Sequence, residues 1–161
     1  MDTQATSEDQ FVQRSVDLAR ENVDAGGKPF ACLLVRHGKV VIEATNQVAQ
    51  TGDVTAHAEI QALRLAAEQG LSDLGEFDIY ITAHPCPMCL GALYYAAPRA
   101  VIYAATREEE AEHYQDGNQY MTLETFYDEF PKAPAARNLP MRQGSSADPA
   151  ASFRHYAQIN N

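Results

Sequence analysis

The sequence predicts an α/β fold in which helices cover both faces of a mixed sheet. Three observations carry that reading. A strand, a helix and a second strand follow one another between Phe77 and Ala104; two apolar, β-rich runs flank Arg36-His37-Gly38-Lys39; and stretches on either side of that pair have helical apolar spacing. With 161 residues and 45% hydrophobic content the chain can bury one sizeable core, so residues 1–161 are expected to form a single domain.

The elements follow in order. Ser7 to Ala25 places Phe11, Val12, Ser15, Val16, Leu18, Ala19 and Val23 at mostly helical spacing, and Gly26-Gly27 ends the helix. Ala31 to Val35 and Val40 to Ala44 are antiparallel strands joined by the hairpin turn between them. Thr55 is expected to cap a helix containing Ile60, Leu63, Leu65, Ala66 and Ala67 that stops near Gly70. Phe77 to Thr82 is a buried strand, Pro85 to Ala96 a short helix opened by proline, and Ala100 to Ala104 a strand parallel to the first. Beyond Thr106 the pattern weakens. Arg107 to Tyr114 is a polar helix, Asp116-Gly117-Asn118 a turn, Lys132 to Ala136 a loop, Asn138 to Gln143 a short final strand, and Asp148 to Gln158 a closing helix capped by Asp148.

Two motifs carry chemistry. His57-Ala58-Glu59 and Pro85-Cys86-Pro87-Met88-Cys89 together offer one imidazole, two thiolates and a spare carboxylate. His57, Cys86 and Cys89 are the expected zinc ligands, one ion per chain. Three protein ligands leave the fourth tetrahedral position open, as in catalytic zinc sites and unlike structural ones. Both motifs open helices, whose N-termini favour thiolate over thiol. Two thiolates and a neutral imidazole cancel the charge of Zn²⁺, and Glu59 then carries the only uncompensated charge. Because thiolates make zinc a weaker acid toward water than three imidazoles do, a nearby base is required; Glu59 fills that role, and hydrolysis is the chemistry indicated. An H-x-E alone arises by chance nearly half the time. A P-C-x-x-C is expected from this composition only about 0.002 times.

Composition excludes other classes. No apolar run approaches the roughly 20 residues of a membrane span, and the polar start from Met1 to Gln10 lacks signal-peptide character, so a cytoplasmic location is expected. Three cysteines, two of them in a Cys-x-x-Cys and Cys32 alone in an apolar run, do not make a disulfide framework. Net charge is -10. Residues 1–130 carry 21 acids against 8 bases, whereas residues 131–161 carry four bases against Asp148. An acidic body is poorly suited to a polyanion, so a small-molecule partner is favoured over nucleic acid. Glu108-Glu109-Glu110 with Glu112 is expected to be a solvated helix face.

H-x-E with P-C-x-x-C is the signature of zinc nucleobase deaminases, and the chain resembles the cytidine deaminase superfamily over nearly its full length. Thr55-Ala56-His57-Ala58-Glu59 and Pro85-Cys86-Pro87-Met88-Cys89-Leu90-Gly91-Ala92 are most similar to the branch holding bacterial guanine deaminase and tRNA adenosine deaminase. Ala111-Glu112, Asp116 and Arg137-Asn138-Leu139-Pro140 lean toward the guanine-deaminase side. The resemblance implies zinc bound by His57, Cys86 and Cys89, Glu59 as proton shuttle, a five-stranded sheet between helices, and a homodimer acting on a nucleobase or nucleoside. It also implies that the C-terminal segment, residues 131–161, is exchanged between subunits to close the pocket, although the terminal tyrosine of that pattern is absent.

Substrate contacts are less determined. Asn46 matches a family asparagine that reads the substrate, with strand-end capping the alternative; Asp116 matches an acid that holds the purine edge and is equally a turn former. Phe30 is placed to stack on a base or to join the core, and the backbone N–H of Ala58 is a candidate donor to a base carbonyl. His84 stands where many relatives carry glutamate, which bears on substrate choice. The expected reaction is hydrolytic deamination of an amino-purine, guanine foremost. The alternatives are a tRNA adenosine-to-inosine deaminase, a deaminase of cytosine or another amino-heterocycle, and, outside catalysis, a zinc-stabilised interaction module.

Overall fold

The computed structural model describes residues 6–161, so the first five residues of the polar start lie outside it. The first helix, α1 (Ser7–Asp24), opens on Thr6, whose hydroxyl accepts the Asp9 N–H while the Asp9 carboxylate accepts the Thr6 N–H, a reciprocal cap. Two strands, β1 (Ala31–Arg36) and β2 (Lys39–Thr45), pair antiparallel through a two-residue turn in which His37 and Gly38 both adopt positive φ, 51° and 73°. That turn matches the twist of the strands it joins. After a single turn, α2 (Val48–Thr51), come α3 (Ala58–Glu68), β3 (Phe77–Ala83), α4 (Pro87–Ala96) and β4 (Ala100–Ala105). Short helices α5 (Arg107–Ala111) and α6 (Phe126–Glu129) lead to an exposed stretch, and α7 (Ala151–Asn160) closes the chain.

The sheet order is β2-β1-β3-β4, with β1 antiparallel to both neighbours and β3 parallel to β4. Alternation along the strands assigns the two faces. Cys32, Leu34, Phe77, Ile79 and Ile81 point to one side, where they bury against Ala58, Ala62 and Ala66 of α3 and Leu93 of α4. Leu33, Val35 and Tyr80 point to the other, against Phe11, Val12 and Leu18 of α1. Three layers result. Leu34 is fully buried, so truncation to alanine there costs about 2–5 kcal/mol.

The five-stranded expectation is corrected: among the described residues the sheet has four strands, and Asn138 to Gln143 is not one of them. The Asn138 N–H goes to Glu129 Oε1 at 2.6 Å and its side-chain amide to the Tyr120 carbonyl at 3.0 Å, so the start of that segment is tied to the α6 region rather than to a strand edge. The cap assignments also move. Thr55 gives its hydroxyl and N–H to Asp53 Oδ1, and His57 sits at the N-cap of α3 instead. Pro87, not Pro85, opens α4, and Ala150 precedes α7 while Asp148 pairs with Arg154.

Candidate metal centre and active pocket

Two helix starts converge at one point. His57 is the extended residue before α3 and Glu59 lies in that helix's first turn; Cys86 holds the equivalent position before α4, where Pro87 presets the helical φ. Cys86 Sγ accepts the Cys89 N–H at 3.5 Å, so the first thiol is also the cap of its own helix. Because β3 runs directly into α4 and α3 packs beside α4, the parallel crossover brings these residues together.

His57 Nδ1 lies 3.5 Å from Cys86 Sγ and 3.5 Å from Cys89 Sγ, and all three donor atoms fall within 4.8 Å of one another. A tetrahedral zinc with bonds of about 2.3 Å to sulfur and about 2.0 Å to nitrogen sets each N···S edge at about 3.5 Å. The observed edges fit that ion, and a donor set of two sulfurs and one nitrogen favours zinc over hard cations such as Mg²⁺ or Ca²⁺. Glu59 Oε2 is 3.3 Å from Cys89 Sγ, beside the triad and outside it. Hydrogen bonds from Cys89 and His57 push the Cys86 thiol down to about 5, whereas sharing that proton and burial push Cys89 up. Burial raises the Glu59 carboxyl above the ordinary glutamate range.

Above the triad is a cavity of about 440 Å³, counting the solvent at its mouth. His57, Glu59 and Cys86 form its floor, with Phe30, Asn46 and Ala83 beside them. Asn46 is 2% exposed, and its Oδ1 accepts the Val48 N–H at 3.0 Å, which leaves its Nδ2 as the donor toward the cavity. It therefore lines the pocket and caps the strand end at once. Phe30 lines the pocket too, with its ring edge-on to Tyr114 at 5.0 Å, and it also packs on the core. Ala58 is fully buried in the core, so only its N–H, in the first turn of α3 where no helical acceptor exists, remains for a ligand. Asp116 reaches the cavity from the turn before Gly117.

Several pocket residues were not indicated by the sequence. Glu110 leaves the solvated face expected of the glutamate run: Glu108 and Glu109 are exposed, but Glu110 is half-buried and lines the cavity. Leu123 and Phe126 are buried and complete the roof. Arg107 stacks over Phe126 and Tyr127 at 5.7 and 5.2 Å, and Tyr127 donates to the Pro85 carbonyl at 2.6 Å, tying the roof to the loop that carries Cys86. His84 also meets Pro85 O, through Nδ1 at 3.2 Å, and stands edge-on to Tyr103 and Tyr127. Beneath the other wall, Asn22 donates to the carbonyls of Lys28 and Asn46 at 2.8 and 3.0 Å and accepts from Gln50 at 3.1 Å. Gly27 permits that approach, since a Cβ there would stand 2.7 Å from Asn22 Cγ.

Comparison with known proteins bears on these features. A family model described as the cytidine and deoxycytidylate deaminase zinc-binding region matches residues 5–105. Guanine deaminase of Bacillus subtilis (strain 168) is 37% identical over 153 residues, 94% of this chain and 94% of that protein. An X-ray structure of guanine deaminase from Bacillus subtilis superposes with a TM-score of 0.83 at 36% identity, covering 92% of each chain. A guanine deaminase structure from Nitrosomonas europaea superposes at 0.62 with 29% identity, covering 76% of this chain and 74% of that one. A tRNA-specific adenosine deaminase of Agrobacterium fabrum (strain C58 / ATCC 33970) is 35% identical over 96 residues, 59% of this chain and 63% of that protein.

Proposed function

Because the chain belongs to the cytidine and deoxycytidylate deaminase family, we propose that this zinc-dependent aminohydrolase removes the amine of a free purine base, guanine or a related amino-purine, as ammonia. The observation that carries the purine reading is the roof. Glu110, Asp116, Leu123 and Phe126 lie beyond the matched zinc-binding region, and similarity to Bacillus guanine deaminase runs through 94% of the chain. The 96 residues shared with the tRNA enzyme cannot span both that region and the roof. An acidic, enclosed cavity also suits a neutral base better than a polyanion.

His57 Nδ1, Cys86 Sγ and Cys89 Sγ would hold one zinc ion per chain. When bound, the ion supplies a Lewis acid that lowers the pKa of a water and polarises it for attack. Glu59 would take a proton from the attacking water as its oxygen adds to the amino-bearing carbon. The same carboxyl then gives the proton to the ring nitrogen, takes the water's second proton and gives it to the amine. The C–N bond breaks, ammonia leaves and a carbonyl remains. A carboxyl raised by burial suits this exchange, since it holds a proton more readily than an exposed glutamate does. Asn46 Nδ2 and the Ala58 N–H would donate to the base, Asp116 would accept from it, and Phe30 would stack on it.

The chain would work in the cytoplasm as a homodimer within purine metabolism. Among the described residues no helix is long and apolar enough to cross a membrane. On α7, Phe153, Tyr156 and Ile159 recur every three residues and are 75%, 69% and 68% exposed, a stripe that supports exchange of residues 131–161 with a second copy. Sedimentation of the intact chain and of one ending at residue 147 tests the dimer: the intact chain sediments at twice its own mass, and the shortened one does not.

Ammonia release from guanine, guanosine, adenosine, cytosine and tRNA, with wild type and Glu59→Ala, tests the activity. The expected result is release from guanine or a close amino-purine that depends on Glu59. No release from any base or nucleoside refutes the proposal, and inosine in tRNA assigns the chain to the other branch.

A further inference from the structure

Glu110 has no place in the chemistry above, yet its carboxylate lies in the same cavity. It projects from α5 into the space shared with Glu59, His57, Cys86 and Asp116, and these are the charged groups that act on it. No hydrogen bond among the described residues relieves it; burial and the nearby acid of Asp116 push it up to about 7. A half-buried carboxyl beside a second acid and without a cationic partner costs the empty protein stability. What relieves it is a ligand that supplies N–H donors.

We propose that Glu110 is a specificity-determining residue that accepts an N–H of the bound base and so selects amino-purines with that ring N–H free over bases that present an acceptor or a substituent there. The inference rests on the proposal that this cavity deaminates a purine. A neutral purine such as guanine carries N–H donors on its six-membered and its five-membered ring. Asp116 and Glu110 enter from different segments of the roof and can each take one of them, while Asn46 supplies the complementary donor from the opposite wall. An alanine at position 110 would leave that N–H desolvated and unpaired. Such a loss is what makes hydrogen-bonding pockets discriminate far better than apolar ones.

The test separates binding from turnover. In the Glu59→Ala background, the zinc-loaded protein is titrated calorimetrically with guanine, 1-methylguanine and 9-methylguanine, and the titrations are repeated after adding Glu110→Ala or Glu110→Met, neither of which offers an oxygen acceptor for an N–H. Guanine binding is expected to weaken about tenfold or more, while binding of the analogue whose methyl group replaces the donated N–H barely changes. Equal losses for all three bases, or no loss for guanine, overturn the role of Glu110 and leave the deaminase reading standing. Binding of none of the bases in the Glu59→Ala background refutes both. Because Glu110→Met keeps the length of the side chain and removes the oxygen acceptor, it serves if the alanine variant folds poorly.

Discussion

Glu110→Gln should make the protein more stable at alkaline pH. The carboxyl is raised from 4.5 to about 7 by burial, with Asp116 adding to the effect. The folded state thus holds the Glu110 proton more tightly than the unfolded state does. The contribution of this group is therefore most favourable below about pH 4.5; it declines as pH rises through the interval up to about 7 and is lost above it. At about 1.36 kcal/mol per pH unit the full gap corresponds to about 3 kcal/mol. The side chain is only half-buried, and solvent screening reduces this to about 1–2 kcal/mol.

A glutamine cannot ionise and does not carry this penalty. For a chain of this length, 1–2 kcal/mol moves the thermal midpoint by about 2–8 °C. With both proteins freed of metal by a chelator, the midpoint of Glu110→Gln should exceed that of wild type by that amount at pH 8. At pH 5 the difference should shrink toward zero, because both proteins are then neutral at position 110. Differential scanning calorimetry measures it, and comparing the two proteins at each pH cancels the titration of every other group. A variant no more stable than wild type at pH 8, or a gain of equal size at both pH values, would refute the argument that a desolvated charge resides there. A gain in stability from Glu110→Gln, at a position where Glu110→Ala weakens binding, is what a functional acid held in an unfavourable environment predicts.

Three further outcomes follow from the site. Glu59→Ala should lower kcat for ammonia release by about 10²–10⁴ while retaining stoichiometric zinc, since the carboxylate lies outside the donor triad; elemental analysis beside the kinetics separates loss of proton transfer from loss of metal. Cys89→Ser replaces a fully buried sulfur of the triad and should lower both zinc content and the unfolding midpoint, with dialysis against a chelator lowering the midpoint of wild type in the same direction. Gly27→Ala drives a methyl group into Asn22 and Gln50, costs about 1–3 kcal/mol in urea unfolding, and should raise KM more than it lowers kcat, because what it displaces is the support of Asn46 rather than Glu59.

The clustering of the candidate donors was legible because its signal is local. His57, Cys86 and Cys89, with Glu59 beside them, lie within short motifs at helix starts, and a helix start positions its neighbours whatever the rest of the fold does. The hairpin at His37-Gly38 and the β3-α4-β4 unit were legible for the same reason: turn residues and apolar runs encode them directly. Thr55 was misassigned as a cap because Asp53, two residues earlier, competes for its hydroxyl and N–H. The roof was not legible. Leu123, Phe126 and Tyr127 stand in a segment without sustained periodicity, and the groups that meet Phe126 and Tyr127, Arg107 and Pro85, lie far off in sequence. Glu110 looks like Glu108 and Glu109 in the sequence; only the direction α5 takes from its Thr106 cap separates one pocket acid from two solvated ones.

That distinction also bears on His84. The acids that line the cavity are Glu59, Asp116 and Glu110, and His84 lines it beside them. His84 spends Nδ1 on the Pro85 carbonyl that Tyr127 also binds, so its role on that side is to fix the loop before Cys86. A glutamate in its place would bring another negative charge into a cavity that already holds three carboxyls. Glu110 adds its acid from α5, a helix that lies beyond the matched zinc-binding region. Under the proposed function, metal and proton transfer rest on helix starts inside the matched region, whereas selection of the base rests on the segment after β4, where this chain's similarity to Bacillus guanine deaminase continues.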